Sequence, residues 1–302
     1  MNLLTPEVRA CVGQTADFVA PEPLGRASIR YFALAVGDAN PLWVDDGFAR
    51  AHGWPGVVAP PTLICETCQY ARRGPDGDGY LGHAWRLPFP VPCRLLRGGN
   101  AYRFAAPATP DTVLHIGWEL VSLEAKQAFV VAQARGQYHD QHGELLATND
   151  ETLLFRPVAD AAPATGAGRN PPADHPPSPG VGEDLPEVVR TLTLTDLVAY
   201  GAATWDWHRL HYDTAYASAA GLPGPIVDGQ LWGALMAAQV LDWTGPSGRL
   251  DSLAVRYRGV VTVGETVTLR AWADGDDLTQ EVRAGDRLVA TGTGRVSGRE
   301  RG

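Results

Sequence analysis

The sequence predicts an α+β protein built twice, each half an antiparallel set of strands wrapped around one long apolar helix. Two observations carry this. Residues 38–63 and 206–231 align without gaps at a constant offset of 168. Asp38 falls on Asp206, Leu42 on Leu210, Asp45 on Asp213, Ala49 on Ala217, and Gly53-Trp54-Pro55-Gly56 on Gly221-Leu222-Pro223-Gly224. Both copies then run into a helical apolar pattern followed by stretches of apolar alternation. One position breaks the match: His211 is replaced by Trp43 in the first copy. An acid–base pair, Asp206 with His211, is complete in one half and lacks its histidine in the other.

Each half opens on a short helical pattern, Ala27–Val36 and Thr195–Thr204. Thr195 is a suitable N-cap for the second, with Leu197, Val198 and Ala202 at helical spacing. The aspartate-containing turn follows, then a second short helix that Asp45 or Asp213 is placed to cap. A Gly-x-Pro-Gly turn leads into the long helix. In the second half it runs from Gln230 to Trp243, with Leu231, Ala234, Leu235, Ala238 and Leu241 along it. In the first half it runs from Pro61 to Ala71, its prolines at the start, where a missing N–H does no harm. Strands follow over Ala101–Ala106, Thr112–Glu124, Ala128–Tyr138 and Glu144–Phe155, then over Leu253–Val261, Thr266–Ala273, Leu278–Ala284 and Leu288–Val296. Residues 157–186, rich in proline, glycine and alanine, hold too little apolar surface to fold alone. The predicted division is therefore 1–156, a linker over 157–186, and 187–302.

A chain of 302 residues has room for two modest cores. Its net charge of −9 argues against nucleic acid or an anionic membrane as partner, since either needs a concentrated basic surface. A few local arginines could still hold a polyphosphate. Met1 to Pro21 has no basic start followed by an apolar run, and no apolar stretch reaches about 18 residues, so the sequence reads as cytoplasmic. Cys65-Glu66-Thr67-Cys68 has redox or zinc spacing, but no second Cys/His pair accompanies it. Cysteines three apart on an apolar helix face pack into a core.

The chemistry concentrates between residues 206 and 230. A carboxylate and an imidazole that converge on one water can take a proton and return it, because histidine titrates near neutrality. At a spacing of five, Asp206 and His211 need a bend in the chain to face one another. Around them, His208 is placed to position the loop, and Asp228 either caps the long helix or tunes the site by its charge. Arg256 and Arg258 alternate along a strand onto one face, where they either grip phosphates or form a solvated edge. Tryptophans 205, 207, 232 and 243 pack the core by default, with shaping of a pocket as their second reading. Asp38, without a histidine partner, reads as structural, and Trp43 as filling the pocket that an active copy leaves open.

These residues carry a resemblance. Gly37-Asp38-Ala39-Asn40-Pro41-Leu42 with Pro60-Pro61-Thr62, and His208-Arg209-Leu210-His211-Tyr212-Asp213, resemble the MaoC-like or FAS1-like dehydratase family of (R)-specific enoyl-thioester hydratases. Within it the second motif is similar to the mesaconyl-C4-CoA hydratase-like branch. The resemblance implies a double hot-dog fold and a hydro-lyase acting on an acyl-CoA or acyl-carrier-protein thioester, with a homodimer as one possible assembly. It implies Asp206 and His211 as the catalytic pair and the backbone N–H of Gly229 as the donor to the thioester oxygen. His208, Arg209, Asp228, Gln230, Trp232, Arg256 and Arg258 are then substrate-binding candidates; no metal or redox cofactor is implied. The sequence departs from the family pattern at His208-Arg209 for Asn-Pro, at Trp205 for glycine, and at Asp228 for histidine. A hot-dog thioesterase or cyclase, and a non-catalytic acyl-binding subunit, remain as alternatives.

Overall fold

A computed structural model describes residues 2–158 and 182–299; most of the anticipated linker, 159–181, lies outside the described residues. The first half runs α1 (Pro6–Arg9), β1 (Thr15–Val19), α2 (Gly25–Val36), α3 (Asp46–Ala51), α4 (Leu63–Glu66), then β2 (Cys93–Phe104), β3 (His115–Ala125), β4 (Val130–His139) and β5 (Leu145–Pro157). The second runs β6 (Glu183–Asp184), β7 (Val188–Thr191), α5 (Leu194–Thr204), α6 (Thr214–Ala219), α7 (Gly229–Thr244), then β8 (Arg249–Tyr257), β9 (Thr266–Asp274), β10 (Asp277–Ala284) and β11 (Arg287–Ser297).

Strand order repeats from copy to copy: β1-β3-β4-β5-β2 in the first half and β9-β10-β11-β8 in the second, with β6 and β7 both pairing with β9. The copies meet where β2 pairs antiparallel with β8, from Gly99 opposite Arg256 to Arg103 opposite Ser252. That seam makes one sheet of eleven strands. Glycine is required at the seam, because a Cβ on Gly99 would lie 2.4 Å from the Val255 carbonyl oxygen. The architecture is an α+β double hot-dog.

The sheet wraps α7. Asp228 caps this helix by accepting from the Gln230 N–H, and Gly245, at φ 79°, ends it. Almost every face is buried, from Leu231 and Trp232 through Leu235 and Met236 to Val240 and Leu241. Such an all-round apolar helix is stable only inside a protein. Each of those large side chains stabilises the fold by roughly 1.5–3 kcal/mol on burial.

The first half departs from the sequence expectation. The helix predicted from Pro61 to Ala71 stops at Glu66, where Thr67 turns extended (ψ 138°). Beyond it the Cys68 N–H donates to the Thr204 carbonyl (2.7 Å) and the Gln69 side chain donates to the Ala203 carbonyl (3.1 Å). Those carbonyls end α5, where helix termini leave acceptors free. Contacts with the other half thus outcompete local helix formation, and residues 67–92 run as an irregular strap over the second half. Further along the strap, Asp78 accepts from the Arg209 N–H (2.9 Å) and from the Tyr216 hydroxyl (2.6 Å). Only one of the two predicted long helices is therefore present.

Smaller corrections follow from capping and bulges. Helix α5 is capped by Thr193, not Thr195: Thr193 accepts from the Asp196 N–H, and the Asp196 carboxylate accepts from the Thr193 N–H (2.7 Å), a reciprocal capping box. β2 begins eight residues before the predicted Ala101, because a bulge between Arg97 and Gly99 interrupts its alternation. β1 and β7, too short for a clear pattern, were not expected. Cys65 and Cys68 are buried and unpaired by disulfide, as core packing predicts. Among the described residues no helix is long and apolar enough to cross a membrane.

Candidate active site

The turn after α5 is built by side chains that bond their own backbone. Asp206 Oδ1 accepts from the His208 N–H (3.1 Å), and His208 Nδ1 accepts from the Leu210 N–H (3.2 Å), starting a 3₁₀ turn over Arg209–His211. Asp213 then caps α6 by accepting from the Tyr216 N–H (3.0 Å). These bonds supply the bend that the spacing of Asp206 and His211 demands. The chain returns alongside, with the Ile226 N–H donating to the Leu210 carbonyl (3.0 Å), and enters α7 at Gly229.

The result is a convergence. Asp206, His211 and Asp228 each present one atom that could ligate a cation, a carboxylate oxygen or a ring nitrogen, and the three atoms lie within 4.8 Å of one another. Asp206 and Asp228 are buried, and His211 is half-buried. His211 Nδ1 lies 2.8 Å from the Ile226 carbonyl, which can only accept. Nδ1 therefore carries a proton toward that carbonyl, and in the neutral ring the lone pair is on Nε2. Asp206 and Asp228 each spend one oxygen on a backbone N–H; among the described residues the other oxygen of each makes no hydrogen bond.

Gly229 begins α7 beside this cluster, and as the first helical residue its N–H has no partner within the helix. A Cβ at Gly229 would press on the Tyr257 ring at 3.3 Å, so the glycine gives space as well as a donor. Tyr257 is fixed in turn by its hydroxyl, which donates to Asn100 Oδ1 (2.7 Å) on β2.

Two groups from the first half complete the surroundings, and the sequence reading missed both. Arg97 on β2 donates to Gln230 Oε1 and pairs with Glu151 of β5 (3.0 Å). Burial works against its charge, but Glu151, Tyr80, Asp228 and Asp206 outweigh burial and hold the guanidinium protonated. It is the cation that balances the two site aspartates. The only sequence signal was an arginine ahead of Gly98-Gly99, upstream of the recognised strand. Glu66, at the end of α4, is the second. Burial pushes its carboxyl well above the usual range, and it accepts from Tyr200 (2.7 Å) and Tyr102 (3.4 Å).

The remaining candidates disperse. His208 caps the turn, its pKa lowered by burial and by His211, and its ring centre lies 5.9 Å from that of His211. Arg209 turns outward, paired with Asp213 (2.7 Å) and stacked over Tyr216. Gln230 is held by Arg97, and Trp232 is core, 2% exposed. Arg256 is exposed on β8, next in sequence to Tyr257, whose ring faces Gly229; strand alternation directs it to the opposite face. Arg258 lies just past β8, its N–H bonded to the Val289 carbonyl (2.7 Å).

The first copy repeats the scaffold without the chemistry. Asp38 accepts from the Asn40 N–H (3.0 Å), Asn40 accepts from the Leu42 N–H (3.0 Å), and a 3₁₀ turn over Pro41–Trp43 follows. Trp43 leaves an open space beside it, so the expectation of a wall fits better than that of complete filling. It forms one wall of a cavity of about 220 Å³.

Residues 181–293 match the family described as MaoC like domain, and residues 10–149 match the FAS1-like, dehydratase domain region. A UPF0336 protein of Streptomyces coelicolor is 30% identical over 153 residues, which is 51% of this chain and 97% of that protein. The chain belongs to the MaoC-like and FAS1-like dehydratase family. A short stretch of 52 residues, 17% of each chain, is 44% identical to the 3-oxo-4,17-pregnadiene-20-carboxyl-CoA hydratase alpha subunit of Mycobacterium tuberculosis. Among solved structures, one described as a MaoC-like dehydratase superposes with a TM-score of 0.73 at 22% identity, over 95% of this chain and 99% of that one. In this dehydratase-family chain, the half matched by the MaoC description is the half that carries Asp206, His211 and Gly229.

Proposed function

We propose that the chain reversibly adds water to the 2,3-double bond of an enoyl thioester, or removes it from the 3-hydroxyacyl thioester, with CoA or a carrier protein delivering the acyl group. The observation that carries this reading is the meeting of the Asp206 carboxylate and the His211 ring beside the first N–H of α7. A water held between the two groups gives one proton to the pair as its oxygen bonds to C3. The π electrons move toward C2 and the thioester oxygen, where the Gly229 N–H and the helix dipole offset the developing charge. The pair then returns a proton to C2 and ends the cycle as it began.

Asp228 works against this unless it is compensated, since an anion at the start of α7 opposes a second negative charge there. Arg97, attached through Gln230, supplies that compensation. The His208–Asp213 motif supports a place near the mesaconyl-C4-CoA hydratase-like branch, and a panel of enoyl thioesters tests it. The assay follows loss of enoyl absorbance together with free thiol. Asp206→Asn and His211→Ala should each lower hydration by about 10²–10⁴-fold with the far-ultraviolet spectrum unchanged. Full activity in both variants would end the proposal. Thiol release without enoyl loss would move the assignment to a thioesterase.

A further inference from the structure

We propose that the cavity beside Trp43 is a second small-molecule site, separate from the Asp206–His211 cluster, that binds a carboxylic acid with an apolar ring body and does not transform it. Its position is the counterpart of the candidate active site. Trp43, Pro60 and Pro61 line it where the second copy places His211, Asp228 and Gly229. Leu241 lines it as well, twelve residues along α7 from Gly229. At 1.5 Å per residue, that puts Leu241 about 18 Å from Gly229 along the helix axis.

The lining determines what can bind. Trp43 replaces the histidine, and Pro61 has no N–H to offer a developing oxyanion, so the counterparts of His211 and of the Gly229 donor are both missing here. Trp54 and Phe104 make the other walls flat and apolar. An apolar cavity of about 150 Å³ is filled by benzene; at about 220 Å³ this one accepts a larger ring system.

Charge at the edge selects the head group. Arg249 lines the cavity, is exposed, and stacks 4.4 Å over the Trp54 ring. Among the described residues no carboxylate lies within ion-pair distance of its guanidinium. Asp251 also lines the cavity, and its Oδ1 accepts a hydrogen bond from Ser297 Oγ (2.7 Å). An anion whose apolar body enters between the tryptophans meets Arg249 at its carboxylate, in the planar geometry that arginine favours.

The test uses the full chain with 2-naphthoate and its neutral analogue 2-naphthalenemethanol, measured by calorimetry and by tryptophan fluorescence. Naphthoate should bind to the wild type, and Arg249→Gln should weaken it at least tenfold while changing naphthalenemethanol binding less than twofold. Ala106→Phe, which fills the cavity, should abolish binding of both; His211→Ala should leave both unchanged. Three results would overturn the proposal. One is absence of naphthoate binding at millimolar concentration. Another is binding lost in His211→Ala but kept in Ala106→Phe, which would place the ligand at the other site. The third is a dimer in sedimentation that Arg249→Gln and Ala106→Phe both dissociate, which would make a second copy the occupant. Arg249→Gln, at an exposed position, keeps the test valid if Ala106→Phe fails to fold.

Discussion

The turns at 38–61 and 206–229 are nearly the same object in backbone terms. Each aspartate accepts from the N–H two residues on, each following side chain caps a 3₁₀ turn, and Asp45 and Asp213 cap the next helix. The returning strands also match, Val58 to Leu42 at 3.3 Å and Ile226 to Leu210 at 3.0 Å. Where the second copy gathers its polar groups, the first has Trp43 for His211, Pro60 for Asp228 and Pro61 for Gly229. A local fold held by side-chain-to-backbone bonds is therefore independent of the other side chains it displays. Proline at both positions removes backbone donors at the one place where a free N–H would face a ligand.

Transplanting residues between the copies is the direct way to break this comparison. His211→Trp copies the first turn into the second and should lower hydration by at least about 10²-fold, at the scale of losing a general acid–base group. A stopped-flow hydration assay with circular dichroism checks that activity falls while the fold stays.

The central helices differ in a way that pH exposes. Glu66 on α4 aligns with Ala234 on α7, and burial raises its pKa above the ordinary 4.5. With the folded-state value raised, its favourable contribution is complete below the unfolded value near 4.5 and is lost as pH climbs through the folded one. Glu66→Gln mimics the protonated form. It should leave stability near pH 4 almost unchanged and raise it by about 1–3 kcal/mol at neutral pH, the scale of a buried polar mismatch. Denaturant titrations at the two pH values read this out; equal effects at both would remove the titration argument.

A smaller difference sits at the helix ends before the two turns. Gly37 takes φ 75° there, and Trp205 takes φ 58°, the only positive value for a non-glycine among the described residues. A left-handed conformation costs an ordinary residue roughly 1–2 kcal/mol. Trp205 is about half exposed, at 49%, and touches Trp207 edge-on, so little packing offsets that cost. Trp205→Gly should stabilise the chain by about 1 kcal/mol in thermal unfolding. Any accompanying change in turnover would indicate that the strained residue sets the angle of Asp206.

Legibility of the sequence followed the range of the forces. The duplication, the caps at Asp45 and Asp213, the body of α7 and most strands could be read, because each rests on contacts within a few residues. The meeting of Asp206 with His211 could be anticipated from the alignment of the copies, whereas the arrival of Asp228 beside them could not, because the sequence left it open between capping α7 and tuning the site. The early end of α4 could not be read, since carbonyls of α5, more than a hundred residues away, set it. Arg97 was hidden for the same reason. It lies beyond a bulge on a strand of the first half, and only the β2–β8 seam brings it to Gln230.

That seam also bears on how such a chain can change. In an assembly of two identical subunits, any substitution strikes both copies at once, and a tryptophan in place of the histidine would remove the imidazole from every turn. Here covalent continuity, with β2 zipped to β8, breaks the molecular symmetry permanently. Each copy is free to diverge while its neighbour stays unchanged, so one chain holds a turn with the Asp–His pair and a turn without it in fixed one-to-one proportion.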